Sequence, residues 1–202
     1  MEGCRVVTDR KDDGTEHGVD RDSWLRVLPF VQARDYTIPT RARVPRLIVV
    51  HATDDAERAG SAHAVARYFV NPDRQGSAHF AVDPVEIVQC VDLAHVAWGA
   101  RGANLDGIHV ELCGEAGQSA GDWEDEASAA IVARGARLVG ALCRRFSIPV
   151  RRLTVEQIRD GVSRGICGHV DVSETWPPPR GGHWDPGPGF PWETFLGLVG
   201  SG

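Results

Sequence analysis

The sequence predicts an α/β fold in which a mixed central β-sheet is flanked by helices. Short β-branched, apolar runs alternate irregularly with amphipathic helical stretches, which favours a mixed sheet over a doubly wound parallel one. The chain has 202 residues, of which 42% are hydrophobic, and a mean hydropathy of -0.23. This is enough for one sizeable core, so we expect one folded domain at 45–202, preceded by a charged lead-in at 1–44 that packs on it.

The first predicted element is a buried strand at 46–51, whose apolar residues end in His51. A helix follows from Ser61 to Asn71, where Pro72 stops it. Strands at 78–83 and 86–91 come next and are joined by a tight Asp83-Pro84 connection.

The run from Ile108 to Cys113 predicts a strand with one packed and one accessible face. Its period of two places His109, Glu111 and Cys113 on one face and Ile108, Val110 and Leu112 on the other. We expect the first face to look into a cleft.

The last third of the chain predicts three helices and one strand. A long helix begins among the acidic residues 122–126 and ends at Ile148-Pro149, because acids suit a helix N-terminus and proline stops a helix. A short helix at 154–160, a strand at 165–169 and a final helix at 192–198 complete the prediction.

Two histidines and one carboxylate form a candidate metal-ligand set. His51 and His169 end predicted strands, and Asp185 stands in a loop rich in proline and glycine. Such a three-residue set leaves a fourth position open for water in catalytic zinc sites. Each residue alone is more often an ordinary structural group, so the assignment depends on the three converging.

The loop around Asp185 is predicted to be stiff. Pro186 favours an extended conformation at Asp185, and the glycines at 187 and 189 allow the positive φ values of a sharp turn. In an extended segment His183 and Asp185 would face one pocket, while Trp184 would point away.

These motifs resemble the zinc-dependent N-acetylmuramoyl-L-alanine amidases, which share a fold with peptidoglycan recognition proteins and the phage T7 type of lysozyme. In detail the chain is similar to amidase domains of actinobacterial enzymes and of endolysins that attack actinobacterial walls. The matching blocks are Leu47–Thr53, Ser77–Asp83, Glu86–Gln89, Val96–Trp98, Gly107–Leu112, Gly168–His169 and Asp185–Pro188.

The resemblance implies a role for each matching residue. One Zn²⁺ would be held by His51, His169 and Asp185, Glu111 would be the general base, and His183 would stabilise the oxyanion. The resemblance also places His79 near the metal, where it would support a ligand or line the substrate site, and Trp98 along the groove. We expect His109 to contact the substrate as well. Many relatives carry Ala-Trp-His-Ala where this chain has Ala97-Trp98-Gly99-Ala100, so one substrate-side histidine is missing.

The implied reaction is hydrolysis of the amide between N-acetylmuramic acid and the L-alanine of the peptide stem. Two alternatives stay open at this point. One is a module of the same fold that binds peptidoglycan without cutting it. The other is a non-haem iron oxygenase that uses His169, Asp171 and His183 as its two-histidine, one-carboxylate set.

Charge and composition exclude several other classes of function. A net charge of -6 and a pI near 5.7, without basic patches, argue against nucleic acid or anionic membrane as partners. Five cysteines without a Cys-x-x-Cys pair predict free, mostly buried thiols. No apolar signal region follows Met1, so we expect a protein made in the cytoplasm that acts on the cell wall. It would do so as a phage endolysin released through a holin or as a domain of a larger hydrolase. We also expect a monomer.

Overall fold

A computed structural model describes residues 21–179 and 181–202 of the chain. The first twenty residues of the predicted lead-in therefore lie outside the described part. The rest of the lead-in contributes a 3-10 helix at Ser23–Val27 and strand β1 at Tyr36–Thr37. Within the described ranges, no helix has the length and apolar character needed to cross a membrane.

Most of the elements that follow agree with the sequence-based expectations. The next ones are β2 (Leu47–Ala52), α1 (Ser61–Val70), β3 (Phe80–Val82), β4 (Ile87–Gln89), β5 (Val96–Ala97) and β6 (Gly107–Leu112). After a 3-10 helix at Asp122–Glu124 come α2 (Glu126–Phe146), α3 (Val155–Arg159), β7 (Gly165–Gly168), α4 (His169–Thr175) and α5 (Trp192–Ser201).

The central sheet has five strands in the order β4-β3-β6-β2-β7. The strands β3, β6, β2 and β7 run parallel, whereas β4 pairs antiparallel with β3. The predicted mixed sheet is thus confirmed. A separate two-stranded sheet joins β1 to β5 and so ties the lead-in to the domain.

Both faces of the sheet are covered at β6, so the expectation of one accessible face is wrong for His109 and Cys113, which are fully buried, and only Glu111 on that face is partly exposed. Ile108, Val110 and Leu112 are fully buried in the main core, which also contains the apolar faces of α2 and α5. Cys113, on the other side, packs with residues of α1 in a second core cluster. The described cysteines at 90, 113, 143 and 167 are all buried and free.

Aromatic side chains fasten the C-terminal segment to this core. Phe190 packs edge-on against Trp123, Trp192 and Phe195, with ring centroids 5.2, 4.9 and 5.3 Å away respectively. Phe195, in α5, is fully buried. The loop that precedes Phe190 is therefore anchored at its downstream end.

Two strands and one α-helix of the described chain were not predicted from the sequence. The strands β1 and β5 have two residues each, which is too short for a periodic pattern. The third is α4: the predicted strand at 165–169 ends at Gly168, and His169 already belongs to the helix. The Asp171 carboxylate accepts a hydrogen bond from the Gly168 backbone N–H at 2.7 Å and thereby caps this helix.

Asp83 joins the start of α1 to the turn between β3 and β4. Its buried carboxylate accepts hydrogen bonds from the backbone N–H groups of Gly60 and Ala62 at the start of α1, at 2.8 and 3.2 Å. It also accepts from Val85 and Glu86 in the turn between β3 and β4, at 2.8 and 2.9 Å. One side chain thus satisfies four backbone donors.

We expect Asp83→Ala to lower the free energy of unfolding by about 3 kcal/mol or more, because hydrogen bonds to a charged group are among the stronger ones and four donors lose their acceptor. Urea unfolding followed by circular dichroism measures this. Asp83→Asn keeps one acceptor oxygen and should lose less. A loss below about 1 kcal/mol for Asp83→Ala would contradict the linking role.

Candidate active site

The site lies at the edge of the sheet where three neighbouring parallel strands end. His51 near the end of β2 is in register with Glu111 of β6. On the other side of β2, Val50 is in register with Gly168, and His169 follows directly as the first residue of α4. Because the carboxyl ends of parallel strands meet at one edge, residues that are far apart in sequence come together here.

A loop after α4 brings Asp185 to the same edge. Its backbone carbonyl accepts a hydrogen bond from Val170 N at 2.9 Å, which ties the loop to α4, and the Asp185–Pro186 peptide bond is cis. Gly187 has a φ of 92°, and a side chain there would overlap the carbonyl group of Ala116. Glycine is required at this position for both reasons.

The three predicted ligands converge. His51 Nδ1 lies 3.1 Å from His169 Nδ1 and 3.3 Å from Asp185 Oδ2, and His169 Nδ1 lies 3.3 Å from Asp185 Oδ1. A tetrahedral zinc ion with bonds of about 2.0–2.1 Å separates its ligand atoms by about 3.3 Å. Each histidine thus lies at about this distance from the other histidine and from one oxygen of Asp185, a different oxygen for each ring, and the nitrogen and oxygen donors suit zinc.

Among the residues that the structure describes, these three form the one group of His, Cys, Asp or Glu side chains close enough together to hold a metal ion. All three are largely buried. Burial raises the pKa of Asp185, but hydrogen bonds with His169 and His51 outweigh it and hold that pKa far below its ordinary value. Burial also lowers the pKa of His169 in spite of the neighbouring Asp185. A deprotonated carboxylate and a neutral imidazole are the forms that bind a metal.

Glu111 stands beside this group. Its Oε1 lies 3.9 Å from His51 Nδ1, and its side chain is only 15% exposed. Burial, with the Asp185 carboxylate nearby, raises the pKa of Glu111 to about 8. The carboxyl group is thus suited to exchanging a proton near neutral pH.

His183 covers the ligand group from the solvent side. Its ring stacks on that of His169 with centroids 4.0 Å apart, and its Nδ1 lies 3.6 Å from Asp185 Oδ1. The side chain is 66% exposed. Burial and the neighbouring His169 lower its pKa. His183 and Asp185 thus face one pocket, as expected, whereas the expectation that Trp184 points away is wrong, because Trp184 also lines this pocket.

The pocket is an open groove of about 780 Å³. Besides the residues already described, its lining includes Val65, Tyr68, Phe69, Gln75, Ser77 and Trp98. Trp98 was predicted to lie near the substrate, and its ring is held in place because Nε1 donates a hydrogen bond to Thr37 Oγ1 at 2.9 Å. The aromatic rings of Tyr68, Trp98 and Trp184 are about half exposed. The groove therefore offers apolar surface to a ligand.

The other two predicted substrate-side residues lie elsewhere. His79 and His109 are completely buried, and neither lines the groove. His109 instead lies behind the ligand group, with its Nδ1 3.1 Å from His51 Nε2. Burial, with His51 next, holds the pKa of His109 well below its ordinary value, so its ring is neutral. The sequence analysis did not predict this contact. The available signal was that His109 lies on the same face of β6 as Glu111, which is in register with His51.

The alternative iron set does not form. The Asp171 carboxylate accepts a hydrogen bond from Gly168 N and pairs with Arg152 at 3.3 Å. It is absent from the metal-capable group found in the described chain. The geometry thus favours the ligand set with Asp185.

Comparison with known proteins places this site in a family. The sequence pattern of the N-acetylmuramoyl-L-alanine amidases matches residues 41–188. The amidase XlyA of Bacillus subtilis is 39% identical over 91 residues, which cover 43% of this chain and 31% of XlyA. The amidase CwlH of the same organism is 29% identical over 129 residues, 61% of this chain and 48% of CwlH. The chain thus spans less than half the length of these relatives.

The fold is also found in solved structures. The catalytic domain of XlyA is similar with a TM-score of 0.56 at 23% identity, and the match covers 85% of this chain and 99% of that domain. The predicted likeness to actinobacterial enzymes stays a prediction. Since the family pattern covers more than half of the chain and includes His51, Glu111, His169 and Asp185, the protein belongs to the N-acetylmuramoyl-L-alanine amidase family.

Proposed function

We propose that this protein is a peptidoglycan hydrolase that uses one zinc ion, held by His51, His169 and Asp185. It cleaves the amide bond between the lactyl group of N-acetylmuramic acid and the L-alanine of the stem peptide. The observation that carries the proposal is the convergence of the His51, His169 and Asp185 side chains directly beside Glu111, in an open groove.

The chemistry divides between the ion and the side chains. Zinc, when bound, lowers the pKa of water to about 7 and polarises the amide carbonyl. Glu111 takes a proton from the water molecule while the water oxygen attacks the carbonyl carbon. It passes that proton to the leaving nitrogen when the carbon–nitrogen bond breaks. The products are the muramic acid carboxylate and the free amine of L-alanine. His183, stacked on His169 at the mouth of the site, donates a hydrogen bond to the negative oxygen.

The groove and the ligand set support an enzyme over a binding module. A module that only binds the wall needs neither a third metal ligand nor a buried carboxyl group with a raised pKa, and this chain has both in Asp185 and Glu111. The exposed rings of Trp98 and Trp184 suit contacts with sugar and peptide parts of the polymer.

The remaining features of the proposal concern the setting of the reaction. We assign catalysis to residues 45–202, with the lead-in packed on them. We expect a monomer that acts on the cell wall and has neither nucleic acid nor membrane as a partner. The two relatives are named as amidases and support this substrate class.

Digestion of purified peptidoglycan tests the proposal. We expect mass spectrometry of the products to show stem peptides with free L-alanine amino termini and intact, peptide-free glycan strands. Dialysis against a strong chelator should stop their release, and added zinc should restore it. Wall binding without release of these termini would favour the binding module, and cleavage at sugar or peptide–peptide bonds would contradict the proposed bond.

A further inference from the structure

The second nitrogen of His51 has an unusual partner. When His51 Nδ1 faces a metal ion, the neutral ring carries its proton on Nε2 and needs an acceptor there. The atom in hydrogen-bonding contact with it is Nδ1 of His109, 3.1 Å away. Both rings are buried, with exposed fractions of 2% for His51 and 0% for His109. Carboxylates, backbone carbonyls and water are the ordinary acceptors at this place, so an imidazole is a special feature of this chain.

The ring of His109 is held in a slot between two glycines. A Cβ atom at Gly99 would lie 2.5 Å from His109 Cγ and 2.7 Å from its Nδ1, and one at Gly107 would lie 3.2 Å from its Nε2. The ring of His79, which directly precedes β3, lies nearly parallel to that of His109, with centroids 5.9 Å apart. The histidine at 109 thus fills the space that a side chain at 99 would need.

The His109 ring makes its polar contact through Nδ1, which lies next to His51 Nε2. Within the described part of the chain, its Nε2 atom is buried and has no hydrogen-bond partner. An unpaired buried N–H costs about 1–3 kcal/mol, so an apolar side chain would be cheaper here if packing were the only need. A histidine at this position is therefore explained by its Nδ1 atom, which faces His51.

We propose that His109 is a positioning residue for the metal site: it accepts the Nε2–H of His51, fixes that ring's tautomer and aims its Nδ1 at the ion, and Gly99 keeps the slot open for it. The inference rests on the proposed function, because it assumes that His51 is a ligand. It assigns His109 to the support of the metal rather than to contact with the substrate.

Zinc affinity, measured by competition with a chromogenic chelator, tests the inference without relying on activity. His109→Leu removes the acceptor and keeps an apolar side chain, and we expect zinc affinity to fall about 10- to 100-fold. His109→Asn places an acceptor oxygen near the position of the lost Nδ1 and should recover most of that loss. A residue with a merely packing role would show no such rescue.

The coupling with Gly99 gives an independent test. A methyl group at position 99 would displace the His109 ring from His51, so Gly99→Ala should weaken zinc binding when His109 is present. The same change should have no effect in a His109→Gly background, where the space is free. Far-UV circular dichroism of the metal-free proteins reports whether each variant folds. If His109→Leu does not fold, His109→Asn and the Gly99→Ala pair decide.

The outcomes separate the inference from the proposed function. Wild type that binds zinc, with unchanged affinity in folded His109→Leu, overturns the role of His109 and leaves the function standing. If Gly99→Ala lowers zinc affinity equally in the wild-type and His109→Gly backgrounds, Gly99 does not act by leaving space for the His109 ring, and that part of the inference is wrong. Wild type that binds no zinc overturns the proposed function, and the inference with it.

Discussion

A His169→Ala variant is expected to lose its zinc and, with it, all measurable hydrolysis of peptidoglycan. Removal of a residue that only supports a ligand costs about 10- to 100-fold in affinity, so removal of one of three ligands should cost more than about 100-fold. The same result is expected for His51→Ala and Asp185→Ala, because the Nδ1 atoms of His51 and His169 lie 3.1 Å apart and each lies 3.3 Å from an oxygen of the Asp185 carboxylate. Elemental analysis after dialysis gives the zinc content, and product release gives the rate.

His183→Ala is the matched control for these variants. It removes a histidine that touches the ligand group but supplies none of the three converging atoms. This variant should keep one zinc per chain and lose about 10²- to 10³-fold in turnover, the usual cost of losing one donor to a developing oxyanion. Full zinc occupancy at wild-type affinity in His169→Ala would show that the ligand set is wrong.

Glu111→Gln is expected to keep its zinc and to lose about 10²- to 10⁴-fold in turnover. The change preserves the size of the side chain and removes the proton acceptor, and proton transfer by a positioned group contributes a factor of this order. Free L-alanine amino termini, followed over time by mass spectrometry, give the rate. Glu111→Ala should be equally impaired.

Glu86→Gln provides the comparison, because this carboxylate pairs with His63 at 3.4 Å and does not line the groove. Its turnover should match that of the wild type. Equal release of product by wild type and Glu111→Ala would remove Glu111 from the mechanism. A loss of zinc from Glu111→Gln would instead make it a ligand.

The same substitution has a measurable effect on stability when metal is absent. Burial and Asp185 raise the pKa of Glu111 to about 8 in the folded chain, from an ordinary value of 4.5. The folded state then binds more protons than the unfolded state, so the contribution of Glu111 to stability is present below pH 4.5 and is lost as the pH rises to 8.

Since Gln does not titrate, Glu111→Gln should gain stability relative to the wild type over this pH window, by up to about 5 kcal/mol at 1.36 kcal/mol per pKa unit. Urea unfolding in chelator at several pH values between 4.5 and 8.5 measures the difference. A difference that does not change with pH would contradict the raised pKa.

Most of the fold was predictable because its long elements carry strong local patterns. The apolar run at 46–51 forms most of β2. The helix α2 lies between the acidic residues at 122–126, which favour its start, and Pro149, which favours its end. The helix α4 was missed because its start depends on the Asp171 side chain accepting from Gly168 N, a local hydrogen bond that no hydrophobic period reveals. Two-residue strands leave no period to detect.

The candidate site was predictable in its chemistry and less so in its surroundings. Residue types and family blocks brought His51, His169 and Asp185 forward, and the structure brings them together. The burial of His79 and His109 was not foreseen, because it depends on the packing of neighbouring strands and on the space left by a glycine at 99. Such complementarity between distant positions has no signature in a single sequence.

The aromatic cluster around Phe190 bears on how this domain should be excised or fused. The family pattern ends at residue 188, but the loop with His183 and Asp185 is fastened by Phe190 and by Phe195 in α5, both buried in the core. A truncation at residue 188 would remove Phe190 and Phe195, and with them the aromatic contacts that anchor the loop at its downstream end. Fusion proteins built from this unit therefore need their junction beyond Ser201, where α5 ends.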